Sequence, residues 1–226
     1  MQFIHDEKII EKFPNNFTGI IVIKNIDKSR LGDITNLLAE KIKSVINSDD
    51  MNKATQNWMD IFVKMGAKAK YKSSLVAARD FWRENNRLYN INPIVDFYNH
   101  YSLYSMVPMG AYDLSKISGD LQLTIAAKDL EFIGIGGRDI QKTTNGEIIY
   151  KDDEHVLCRC WNLKDCDHTK ITEDTDDVLF IFDIIADNTD DAMKIFEKFK
   201  SDFTEYFGTL NYTNLTGKGI SVSDSN

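Results

Sequence analysis

The sequence predicts an α+β fold. Three observations carry this reading. Apolar residues recur at helical period through much of the first half of the 226 residues. Short β-rich segments separated by turn residues fill 121–185. One more amphipathic period then closes the chain, and helices, a strand block and a last helix in that order suggest α+β packing.

Each element follows from its residues. The short β-branched run 19–24 reads as a first strand. In 29–46, Ile34, Leu37, Leu38, Ile42, Val45 and Ile46 share one helical face. A second helix over 52–65 carries Trp58, Ile61, Phe62 and Met65, and Gly66 ends it. Lys68, Lys70 and Lys72 form a basic turn. A third helix over 73–85 follows, with Leu75, Ala78, Phe81 and Trp82 inward; Arg79, Arg83 and Arg87 stand at steps of four, on one face of this helix if it extends that far. Pro93 suits the first turn of another helix, with Ile94, Phe97 and Tyr98 facing inward.

The period then changes from helical to alternating. Leu121, Leu123 and Ile125 alternate; Phe132, Ile133 and Ile135 precede Gly136-Gly137; Asn145-Gly146 signals a hairpin between two extended segments. Further strands are expected over 147–150, 155–161 and 178–185. Asn188 or Thr189 caps the final helix, whose stripe is Ala192, Ile195, Phe196, Phe199, Phe203 and Tyr206, and Gly208 closes it. The expected organisation is one α+β domain over 1–208 and a polar tail over 209–226, loose near its end.

Charge and composition narrow the function. Lys plus Arg is 27 and Asp plus Glu is 35, so the formal net charge is −8. Such a surface repels DNA, RNA and anionic membranes as a whole, so an RNA contact requires a local basic patch. The densest one combines Lys68, Lys70 and Lys72 with Arg79 and Arg83; Lys170 is a further cation. No window approaches 18 apolar residues and the start lacks a secretory pattern, so a cytoplasmic protein is expected. Three cysteines cannot all pair with one another, which fits a reducing compartment.

Searches for cofactor and metal motifs point to neither. Gly134-Ile-Gly-Gly137 has the wrong spacing for a dinucleotide fingerprint and lacks the lysine of a phosphate loop; it reads as a turn. Cys158-x-Cys160 followed by Cys166 departs from the paired spacing of structural zinc sites, even with His155 and His168 nearby. The densest polar stretch runs over 159–175, between two strands. It suits either a solvated loop or a pocket rim. Glu154, at the start of the preceding strand, is placed to accept a hydrogen bond from a substrate hydroxyl, a contact that discriminates strongly. The tyrosine-rich stretch 89–112 supplies core or pocket wall, Tyr112 among it.

Several segments resemble a known family. Asn92-Pro-Ile-Val-Asp-Phe-Tyr-Asn99, Val107-Pro-Met-Gly-Ala-Tyr-Asp-Leu114, Gly119-Asp120, Leu157-Cys-Arg-Cys-Trp-Asn162 and Thr169-Lys-Ile-Thr-Glu-Asp-Thr175 stand in the order and spacing of the editing domain of the phenylalanyl-tRNA synthetase beta subunit and its free-standing relatives. The resemblance is strongest over 66–185. It implies a layered sandwich of mixed and antiparallel sheets with packed helices. It also implies a pocket that hydrolyses a wrongly attached amino acid from tRNA, without metal or cofactor. By segment order the pocket glutamate matches Glu154, with Asp153 a rival, and the pocket threonine matches Thr175. Asn99 and Arg159 then orient substrate or water. Tyr112, Gly136, Gly137, Trp161 and Asn162 form the wall, with the two glycine amides facing an oxyanion. The chain departs from the family at Gly110, where the synthetase carries a histidine, and at Cys158-Arg-Cys-Trp161, which replaces a glycine-rich segment. The expected partners are tRNA or aminoacyl-tRNA, with a free amino acid possible. The alternative function is a non-catalytic RNA-binding or amino-acid-binding module.

Overall fold

The computed structural model describes residues 2–225; Met1 and Asn226 lie outside the described residues. The chain begins with β1 (Phe3–His5), α1 (Glu7–Lys12) and β2 (Asn16–Ile23). Four helices follow: α2 (Leu31–Val45), α3 (Asp49–Lys64), α4 (Ser74–Asn85) and α5 (Pro93–Ser105). Ser48, Ser73 and Asn92 cap the last three by accepting backbone N–H bonds, as their residue types favour. The strand block comprises β3 (Met109–Asp113), β4 (Leu121–Ile125), β5 (Glu131–Phe132), β6 (Gln141–Lys142), β7 (Ile148–Lys151), β8 (Val156–Arg159), β9 (Lys164–Asp165) and β10 (Val178–Ile185). The closing helix α6 (Thr189–Phe207), capped by Asn188, leads into β11 (Tyr212–Gly217) and β12 (Ile220–Ser225).

Two five-stranded sheets stack, one ordered β1-β4-β7-β8-β9 and the other β12-β11-β2-β10-β3. The first is mixed, because β1 runs parallel to β4; the second is antiparallel throughout. Alternation along β2 and β10 divides the core. Phe17, Ile21, Phe180 and Phe182 point to the helical layer, where they meet Leu38, Phe97, Phe199 and Phe203. Ile20, Val22, Leu179 and Ile181 point to the other sheet and meet Leu121, Leu123, Ile148 and Trp58. Because both faces are covered, β10 reads as a nearly continuous apolar run. Gly19 is required for this packing: a Cβ there would stand 2.7 Å from the Phe196 ring.

Three expectations are corrected, and one segment left unread by the sequence is filled in. The polar tail is a β-hairpin whose inner strand β11 pairs with β2. Its Thr and Asn residues favour strand geometry and satisfy one another, as when Thr216 Oγ1 donates to Asn214 Oδ1 at 2.8 Å. Asn145-Gly146 does make a tight turn, with Gly146 at φ 85°, but the flanking strands pair elsewhere: β6 with β5, and β7 with β4 and β8. The segment before residue 13 carries a strand and a capped helix that its composition does not announce. Arg87 lies beyond α4, which Asn86 ends in the left-handed conformation at φ 54°. Among the described residues no helix is long and apolar enough to cross a membrane.

Candidate active site

The outward faces of β4, β7 and β8 form the floor of an open groove. It consists of two adjoining clefts, of about 510 and 360 Å³, which share Glu131, Glu154, His155 and Val156. Gln122, Thr124, Ile149 and Lys151 rise from the strands because every second residue faces outward. Segment 126–142, with the β5–β6 hairpin, forms the opposite wall. Buried Thr143 anchors it, accepting the Leu130 N–H at 2.8 Å and donating to the Lys128 carbonyl at 3.2 Å.

The β7–β8 turn brings titratable side chains to this groove. Asp152 is fully buried. Its Oδ1 accepts the N–H groups of Glu154 (2.9 Å) and His155 (2.5 Å), and its Oδ2 accepts that of Ser118 (2.9 Å). These bonds fix a tight turn in which His155 Nδ1 lies buried 3.5 Å from Asp152 Oδ1. That separation is long for a hydrogen bond, and Nδ1 has no hydrogen-bond partner among the described residues. The imidazole stacks on His168, with centroids 4.1 Å apart and planes at 26°. Glu154, Lys151 and His155 thus share one wall of the groove, and His168 joins from the 166–175 segment. Among the described residues no group of three or more His, Cys, Asp or Glu side chains stands close enough to hold a metal.

The structure separates most of the residues that the sequence groups together. Glu154 lines the groove, and Asp153 lines one of its two clefts. Thr175 does not line it: it is buried, donates to Asp113 Oδ2 at 2.9 Å and accepts the Thr172 N–H at 3.0 Å, closing its own loop. Asn99 is half-buried on α5 and is not among the groove's lining residues. Arg159 stands at the far end of β8 and grips Glu147 through two bonds of 2.9 and 2.8 Å. Burial pulls the Glu147 carboxyl up, but Arg159, the Thr144 amide and Cys160 outweigh it and hold it at about 2. Glu147 also accepts the Cys160 N–H at 3.1 Å, securing a bend in which Cys160 and Trp161 take positive φ of 48° and 65°.

That bend turns Trp161 inward, so it is core rather than pocket wall. Its ring meets Phe13 and Trp58 edge-on at 5.1 and 5.5 Å. Trp161 Nε1 and Asn162 Nδ2 donate to Asp183 at 3.0 and 2.8 Å, and Tyr150 OH donates to the same carboxylate at 2.5 Å. Burial lifts Asp183 to about 6 despite these donors. Tyr112 is likewise core, and burial raises its phenol well above the usual range. The amides of Gly136 and Gly137 are already engaged, donating to Asp167 Oδ1 at 3.1 Å and the Gly134 carbonyl at 2.8 Å, so they form no oxyanion pair.

Most of the basic cluster is also engaged. Lys72 and Arg79 pair with Asp80, Arg79 also reaches Thr55, and Lys170 pairs with Asp167. Arg83 donates to the Ile46 carbonyl and Asn52. Within this set, Lys68, Lys70 and Arg83 are exposed with no carboxylate partner among the described residues; Lys68 and Lys70 flank the Tyr71 ring. The groove residues that sequence reasoning passes over are Asp152 as the turn's anchor and the His155–His168 stack. The available signal is an Asp followed at three residues by His, a spacing at which an Asp side chain readily caps a turn.

Comparison with known proteins agrees with this architecture. The family model of the B3/4 domain matches residues 57–207. A solved N-terminal fragment of the phenylalanyl-tRNA synthetase beta subunit from Pyrococcus horikoshii has a similar fold, with a TM-score of 0.50 and 13% sequence identity. The alignment covers 100% of this chain and 54% of that fragment, so the chain spans about half of its length. A search of curated proteins finds no match. The chain therefore belongs to the B3/4 domain family and is a relative of that domain of the phenylalanyl-tRNA synthetase beta subunit.

Proposed function

We propose that the chain hydrolyses an aminoacyl ester on a mischarged tRNA, acting in trans. The observation that carries this reading is the Asp152–His155 pair beside Glu154 in an open groove. Asp152 orients the imidazole through Nδ1, leaving Nε2 to take a proton from water. The resulting hydroxide adds to the ester carbonyl. The C–O bond to the ribose then breaks, and His155 returns the proton to the leaving hydroxyl. Lys151, which has no carboxylate partner among the described residues, supplies positive charge for the developing oxyanion. Glu154 receives the ammonium or side-chain hydroxyl of the amino acid. The substrate and the three free thiols Cys158, Cys160 and Cys166 both suit a cytoplasmic setting.

A second reading is binding without turnover, of an RNA or an amino acid; one specific observation favours its amino-acid form. Three of the six cations expected to meet phosphate, Lys72, Arg79 and Lys170, are already paired with carboxylates of this chain, which weakens any hold on tRNA. Release of amino acid from correctly and wrongly charged tRNAs, beginning with tyrosine on the phenylalanine tRNA, separates the two. Catalytic amounts of protein should turn over repeatedly on one mischarged pair. His155→Ala should lower kcat by about 10²–10⁴, the usual range for one general base. Glu154→Gln should act mainly on KM. Stoichiometric binding without release would favour the second reading.

A further inference from the structure

A second cleft, of about 420 Å³, lies where the α1–β2 turn, α3 and the end of β10 meet. It shares no lining residue with the groove, and its ligand is inferred independently of the hydrolase reading. Phe13, Ile61 and Ile185 give it an apolar floor. Asn16 closes its inner end and is only 2% exposed. The Asn16 Nδ2 donates to the Ile184 carbonyl at 3.5 Å, which sets the orientation of the amide. Its Oδ1 is then a buried acceptor that no described residue supplies with a donor. Such a group calls for an explanation, because native interiors satisfy nearly all buried acceptors.

The rim indicates what the donor belongs to. Among the described residues, Lys53 lines the cleft with no carboxylate partner, and Asp187 lines it with no cationic one. Lys64 is engaged differently, lying 5.0 Å from the Phe13 centroid and donating to the Lys12 carbonyl. Asp60, also on the rim, accepts from Gln56 Nε2 at 2.8 Å; Lys53, Asp187 and the orphan acceptor of Asn16 therefore stand free around an apolar floor, in a volume suited to a small ligand. We propose that this cleft binds a free α-amino acid with an apolar side chain. Its ammonium meets Asn16 Oδ1 and Asp187, its carboxylate meets Lys53, and its side chain lies on Phe13, Ile61 and Ile185.

The test is a titration of the ¹⁵N-labelled full chain with L-phenylalanine and L-leucine, following the Asn16 side-chain amide. Phenethylamine, which lacks the carboxylate, and N-acetyl-L-phenylalanine, which lacks the ammonium, serve as comparators. The expected result is a saturable shift, with each comparator at least about tenfold weaker. Lys53→Met and Asn16→Val should each weaken binding by about tenfold or more, and Lys53 is exposed enough for its variant to keep the fold. No saturable shift at about 10 mM would overturn the proposal. So would equal binding of the comparators, or unchanged affinity in Lys53→Met; a buried water would then be the donor to Asn16.

Discussion

Asp183 and Asp152 are both sealed from water and both accept three hydrogen bonds, yet their surroundings give them different work. Asp183 lies between the sheets and takes three side-chain donors, Tyr150, Trp161 and Asn162. It lines neither cleft of the groove, and it ties β7, β10 and the Cys160–Trp161 bend together. Asp152 takes three backbone donors and stands against an imidazole that lines a groove. A displaced pKa alone would select Asp183, held at about 6 by burial. Access points instead to the neighbourhood of Asp152, because the His155 imidazole beside it lines the groove while Asp152 itself is sealed. Structural networks perturb carboxylates as strongly as active sites do.

The largest effect expected from breaking this contrast is on stability. Asp183→Ala leaves buried donors of Tyr150, Trp161 and Asn162 without an acceptor and should cost about 3–5 kcal/mol. Urea unfolding measures it; a loss below about 1 kcal/mol would mean that the network is dispensable.

A smaller effect concerns pH. Burial raises both Asp183 and Asp165 from near 3.8 to about 6, so between these values the folded chain holds more protons than the unfolded one. Their contribution to stability therefore grows as pH falls from about 6 toward 3.8. His5 opposes them: burial lowers it to about 4, so its contribution is lost as pH falls from 6.5 toward 4. Asp183→Asn removes one gain. Its stability relative to the parent should therefore worsen with acidification across this window, by about 2 kcal/mol. Parallel pH curves for the two proteins would contradict the role given to burial.

The smallest effect lies on the surface. Lys72→Ala breaks an exposed pair with Asp80 and should change stability by less than about 1 kcal/mol. Lys68→Ala with Lys70→Ala should leave stability unchanged but flatten the salt dependence of any tRNA binding, by roughly 0.7–0.9 in log–log slope per lost phosphate contact. An unchanged slope would remove this turn from the RNA surface.

The helices are legible because their period is carried by large apolar residues such as Leu38, Trp58 and Phe199, and the start of the last by the Asn188 cap. Strand 178–185 is legible because both its faces are buried. The 212–225 hairpin is not, because Thr, Asn and Ser there carry a tail's composition while pairing as strands. In the site, Glu154 follows from family resemblance, and it does line the groove. Thr175 shows the opposite case: a hydroxyl before an apolar run serves a loop closure as readily as a pocket. His155 becomes meaningful only through a turn held by Asp152 and a stack on His168, 13 positions along the chain. Such a contact depends on tertiary placement, which spacing alone does not reveal.

The most direct test of the groove is imidazole rescue of His155→Gly in the deacylation assay, with Asp183→Asn as the reference for structural damage. If His155 is the base, His155→Gly loses turnover and added imidazole restores part of it. Asp183→Asn should keep its kcat wherever it remains folded, and imidazole should not affect it. A His155→Gly variant that turns over at the parent rate, or one whose loss imidazole leaves untouched while Asp183→Asn is equally impaired, would contradict the assignment of His155 as the base.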